Sequence, residues 1–98
     1  MPLFVVIRTR GPAWQPDQDL EGQRQWREHA DFMDGLATEG MIVLGGPLED
    51  TPDVLLVMRA GSAEAIRQRL IDDPWTNLEL LRIQLIAPWT LRLGTLQS

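Results

Sequence analysis

The chain is 98 residues long, 44% hydrophobic and 23% charged, which bounds it to one globular domain with a modest core rather than a disordered segment. Its formal net charge of -5 leaves no basic stripe, so neither nucleic acid nor an anionic membrane surface is an expected partner. Cys, Lys and Tyr are absent and His29 is the sole histidine, which argues against thiolate, Schiff-base and tyrosine chemistry, disulfide frameworks and structural zinc.

Residues 3–8 are β-branched and apolar and too few for a helix, so they read as a buried strand. Gly11, Pro12, Pro16 and Gly22 keep residues 11–22 irregular, and a connector of that length is either a functional lid or a plain surface loop. From residue 23 to 39 no proline intervenes, and Trp26, Ala30, Met33, Leu36 and Ala37 recur at helical spacing on one face. Glu28, Asp31 and Asp34 make the solvated side, and Gly40 suits the left-handed residue that ends such a helix. Residues 41–44 predict a second short strand closed by Gly45, Gly46 and Pro47. Residues 53–59 predict a third, with a wide hairpin turn between the two. Ser62 is placed to cap a helix from residue 63 to about 72, which Asp73-Pro74 stops because the residue before proline leaves the α region. Residues 79–89 read as a last strand, with Leu81, Ile83 and Leu85 on one face and Leu80, Arg82, Gln84 and Ile86 on the other. The tail, residues 90–98, reads as a frayed terminus or an extension onto a partner.

The order β-α-β-β-α-β predicts a single α+β domain over residues 1–98. It is the ferredoxin-like split βαβ: a four-stranded antiparallel sheet with both helices on one face. The opposite sheet face then has no helix to cover it, and a homodimer with sheets packed face to face is the expected solution. The short apolar run at residues 3–7 lacks the flanks of a signal peptide, and no apolar stretch approaches the roughly 20 residues that span a bilayer. A soluble, cytoplasmic protein is the expectation.

Proton-transfer chemistry must rest on His29, carboxylates, hydroxyls or bound water. His29 lies three residues after Trp26 and four before Met33, on or beside the apolar helix face, so it points toward the sheet. It is then either a half-buried structural histidine or an acid/base. Both helices lie on one sheet face, so a carboxylate leaving the second helix at Asp73 can meet the ring, orient it and fix its tautomer. The alternative for Asp73 is a helix-stop residue that caps the following turn. Trp14 on the long loop and Trp75 beside the Asp-Pro step are candidate walls of a small apolar pocket. Trp26 serves the core or the same pocket, and Trp89 the dimer seam. Gly45-Gly46-Pro47 lacks the lysine and helix start of a phosphate loop. Ser62 is explained by capping, and neither it nor Ser98 has a histidine nearby in sequence.

These residues in this order resemble the YCII-related (YciI-like) family: the first strand, His29, Phe32, Leu36, Gly40, Leu44-Gly45-Gly46-Pro47, residues 60–65, Asp73-Pro74 and Pro88-Trp89, together about residues 2–92. Where members often carry a glycine after the Asp-Pro step, this chain has Thr76, Asn77 and Leu78. The resemblance implies a dimeric α/β barrel and an active site at His29 and Asp73. Members and similar folds include enzymes of dehydrochlorination, muconolactone isomerisation and cofactor-free monooxygenation. The resulting expectation is a cofactor-independent enzyme acting on a small cyclic or aromatic compound by isomerisation, elimination or hydrolysis, with no metal. The alternative is a non-catalytic dimeric module that binds a small ligand or a protein and keeps His29 as a structural residue.

Overall fold

Alternation along β1 (Leu3–Arg10) sets the two faces of the sheet: Phe4, Val6 and Arg8 are buried on one face, and Leu3, Val5 and Ile7 are partly covered on the other. This computed structural model describes residues 2–96; Met1 and the tail residues Gln97 and Ser98 lie outside the described residues. The elements follow as α1 (Trp26–Thr38), β2 (Ile42–Pro47), β3 (Asp53–Arg59), α2 (Ala63–Leu70), a short α3 (Pro74–Asn77) and β4 (Leu81–Trp89). The strands form one antiparallel sheet of order β2-β3-β1-β4, the ferredoxin-like α+β arrangement.

The core lies between the sheet and the helices. Phe4 and Val6 of β1 meet Leu56 and Met58 of β3, Leu36 of α1, and Ile66 and Leu70 of α2. Gly40 ends α1 with φ 85°, and the Met41 N–H returns to the Leu36 carbonyl at 3.0 Å. Ser62 caps α2 by accepting the Ala65 N–H at 3.1 Å.

Four boundaries depart from the sequence expectation. Residues 23–25 stay outside α1, where Gln25 takes a left-handed conformation with φ 53°. Strand β2 runs on through Gly45, Gly46 and Pro47, which an edge strand tolerates because a missing N–H there breaks no ladder. Asp73-Pro74 both follows the end of α2 and starts α3, with proline at the first helical position. In β4 the simple alternation fails. Ile7 pairs with Leu85 but Arg8 with Ile83, so Gln84 is the extra residue of a bulge. Ile83 and Ile86 consequently both pack on the core, while Leu85 turns to the open sheet face, 46% exposed.

Truncating a fully buried core residue should therefore cost far more than truncating an exposed one. Leu70→Ala is expected to lower unfolding stability by about 2–5 kcal/mol in urea titrations. Leu93→Ala, at 87% exposure, is expected to stay within about 0.5 kcal/mol of wild type.

Candidate functional site

The inward alternation of β1 places an arginine where a third apolar residue would ordinarily sit. Arg8 is 1% exposed, and a buried guanidinium requires a counter-charge and hydrogen-bond acceptors. Asp73, fully buried and 65 residues away, supplies both: Arg8 Nη1 donates to Asp73 Oδ2 at 2.7 Å. Arg8 Nη2 donates to Thr76 Oγ1 at 2.9 Å, and the Thr76 hydroxyl donates in turn to the Leu70 carbonyl at 2.7 Å. Thr76, in the stretch where the family resemblance leads one to look for glycine, thus anchors the arginine fork. Arg8 Nε is the one buried side-chain polar atom without a partner among the described residues.

Asp73 gathers three parts of the chain. Its Oδ1 accepts the Trp75 N–H at 3.0 Å, which caps α3. His29 Nδ1 of α1 lies 2.9 Å from Oδ1 and 3.0 Å from Oδ2, between the two oxygens. Burial alone would raise the Asp73 carboxyl above its ordinary 3.8. The His29 hydrogen bond and the Arg8 charge and hydrogen bond outweigh it and hold the carboxyl below that value. Asp73 is therefore an acceptor at neutral pH, and the geometry makes His29 Nδ1 the donor to it. Nε2 is left without a partner among the described residues, and in the neutral ring it carries the lone pair.

The ring is held from beneath as well. Trp75, fully buried, stacks on His29 with centroids 3.8 Å apart and planes 3° from parallel. Its indole N–H donates to the Arg24 carbonyl at 2.6 Å. Trp26 leans on both rings at 6.0 and 5.8 Å, and Trp14 meets Trp75 edge-on at 5.7 Å.

Trp14 reaches the site because the loop between β1 and α1 is tied down. Gln23, 3% exposed, accepts the Gln15 N–H through Oε1 at 3.0 Å and donates Nε2 to the Gln15 carbonyl at 2.8 Å. At the loop's start, a Cβ on Gly11 would run into the Glu79 backbone carbonyl, so only glycine fits there without a shift.

A cavity of about 530 Å³ opens beside His29, within the size range of small-molecule sites. Its walls include Trp14, Trp26, Met33 and Ala37 of the loop and α1, and Gly45 and Val54 of the sheet. Gly45 faces inward, where a Cβ would stand 2.7 Å from Leu56 Cδ2; the bare backbone keeps that wall open.

His29 and Asp73, expected to meet, do so, and Asp73 also performs the capping that was its alternative. Trp14, Trp26 and Trp75 all line the cavity, Trp75 as a buried wall whose face is stacked on His29. Trp89, 40% exposed, is paired to Leu3 on the opposite sheet face. Sequence reasoning missed Arg8, Thr76 and Gln23. Only Arg8 had a signal, its period-two spacing from Phe4 and Val6.

The fold is similar to that of 5-chloro-2-hydroxyhydroquinone dehydrochlorinase (TftG) from Burkholderia phenoliruptrix AC1100, solved in complex with 2,5-dihydroxybenzoquinone. The TM-score is 0.57 and the identity 20%, over 94% of this chain and 95% of that one. No protein-family model and no curated protein matches the chain. At that identity the likeness establishes the shared fold.

The depressed Asp73 carboxyl makes a signed prediction. Its contribution to stability is complete above its ordinary value of 3.8 and is lost as pH falls through the lower folded-state value. Asp73→Asn leaves Arg8 buried without a counter-charge and should cost about 3–5 kcal/mol at neutral pH. Urea titrations across pH should show that gap narrowing as pH falls from 3.8 through the lower folded-state value, where folded wild type also loses the carboxylate. A gap that stays constant into acid would contradict the assignment.

Proposed function

We propose that this chain is a YCII-like, cofactor-independent enzyme that acts on a small cyclic or aromatic compound by proton transfer at His29. One observation carries the reading. The ring is fixed at Nδ1 by a buried, ionised Asp73, while the unpartnered Nε2 belongs to a histidine that lines the cavity.

In this reading Nε2 takes a proton from the substrate, or from water in hydrolysis. It returns the proton to another position of the substrate in isomerisation, to the leaving group in hydrolysis, or to solvent as the leaving group departs in elimination. The ring gains positive charge in that step, and the Asp73 carboxylate 2.9 Å away balances it. Arg8 keeps Asp73 ionised and in place, so the carboxylate supports the ring without taking the proton itself. Trp75 blocks rotation of the imidazole. Trp14 and Trp26 offer flat apolar surfaces to a ring-shaped substrate. Elimination, isomerisation and hydrolysis all use this base/acid exchange. TftG, by its name, removes HCl from a chlorinated hydroxyhydroquinone, and the shared fold makes elimination the first reaction to test.

Chloride release from chlorinated hydroxyhydroquinones, alongside ring opening of small lactones, is the direct assay. His29→Ala and His29→Gln are each expected to lower kcat by about 10²–10⁴-fold on any substrate that wild type turns over. Turnover that survives both substitutions would make His29 structural and favour the non-catalytic module.

The assembly belongs to the same proposal. Leu3, Val5, Ile7, Val57 and the exposed Leu44 and Leu85 share the sheet face opposite the helices. A second copy placed sheet to sheet would cover this face. Light scattering should find a dimer for wild type and a monomer for the Ile7→Asp and Leu85→Asp double variant, which sets charges on a central and an edge strand of that face. A monomeric wild type, or a variant that stays dimeric, would contradict it.

A further inference from the structure

Among the described residues, one cation lining the cavity forms no ion pair. Arg10, at the end of β1, lines the cavity and lies 4.4 Å over the Trp14 ring. Its neighbours in charge are all engaged elsewhere: Arg8 holds Asp73 at 2.7 Å and Arg27 faces Asp31 at 3.8 Å. Arg69 and Arg82 are likewise paired, with Glu39 and Glu79. The cavity's other carboxylates, Asp34 and Asp53, form no ion pair with Arg10.

The placement is built. The Arg10 backbone N–H is bonded to the Pro52 carbonyl at 3.0 Å, which fixes the base of the side chain. Trp14 beneath the guanidinium is itself set by the loop that Gln23 clasps and by its edge contact with Trp75. A guanidinium lying on an aromatic face keeps its N–H edge free, and that edge matches the two oxygens of a carboxylate. Arg10, Trp14, Trp75 and His29 then form a continuous ladder, with the cation at one end and the imidazole at the other.

We infer that the cavity takes an aromatic carboxylate, its carboxylate on Arg10 and its ring between Trp14 and Trp26, with a reactive edge toward His29. This rests on the reading of the cavity as a substrate site and adds the charge of the substrate to it.

Benzoate and its uncharged analogue benzamide are the probes, titrated against the full chain by calorimetry and by the ring-proton NMR signals of His29. Because His29 is the sole histidine, every imidazole signal reports on the site. Benzoate should bind at least about tenfold more tightly than benzamide, the scale of one charge-assisted hydrogen bond. In Arg10→Gln the ratio of the two affinities should fall to about one, and Arg10→Lys should restore part of it. Arg92→Gln, away from the cavity, should keep the full ratio and thereby separates local pairing from overall charge. A wild-type ratio near one, or a ratio that survives Arg10→Gln, overturns the carboxylate assignment and leaves the substrate site standing. If neither probe shifts the His29 signals at millimolar concentration, both the assignment and the site reading fall. Loss of turnover in His29 variants without any change in the benzoate ratio supports both.

Discussion

The buried pair of Arg8 and Asp73 is the constraint on which the rest of the molecule depends. A charge on the inward face of the first strand is not tolerated alone, since removing a partner from a buried pair costs about 3–5 kcal/mol. The counter-charge must therefore arrive at a fixed place beneath the helices. That requirement decides where α2 ends, why Asp73 turns inward, and why Pro74 opens a new helical turn rather than merely closing the old one. It also decides where His29 finds its acceptor. Fold and candidate chemistry share one carboxylate.

Stability alone gives no reason to keep such a pair. Well-packed apolar residues in the same volume are often as stabilising or more so. What an apolar replacement would lose is the carboxylate that orients the imidazole, and with it the definite tautomer at Nδ1. The unpartnered Arg8 Nε belongs to the same account. The fork reaches Asp73 and Thr76 with its two terminal nitrogens, and its third donor is left over. A chain selected only for stability would have little cause to bury that group in its core.

The elements were legible in the sequence because each carries its own period. The meeting of His29 and Asp73 was legible because helical spacing put the histidine on the inner face while the Asp-Pro step marked where a carboxylate leaves its helix. Arg8 was legible in principle: read at period two from Phe4, it falls on the core face, and a core arginine demands an acid. Taking residues 3–8 as simply apolar hid that demand. The bulge at Gln84 had no local signal. It exists because β1 and β4 must pair on both sides of the Arg8 position, and only the register between them reveals it. Gln23 was equally silent, since a buried glutamine that imitates a strand partner for Gln15 looks in sequence like any polar loop residue.

These origins divide the labour within the site. The histidine end, His29 on Asp73 and Trp75, is built from helix faces and the core strand and is locked by Asp73 at Nδ1 and by Trp75 across its face. The cavity's far wall is built at the margins of the fold: the clasped loop that carries Trp14, the bare Gly45 on the edge strand, and Arg10 as the last residue of β1. Changes at the histidine end must disturb the buried pair and hence the fold. Changes at the far wall alter size and charge at the cavity while leaving the core contacts intact. On the proposed function, a scaffold arranged this way would hold one kind of proton transfer fixed and let the substrate vary. In the proposed reading, specificity is a property of the loop and the strand edge, and chemistry a property of the core.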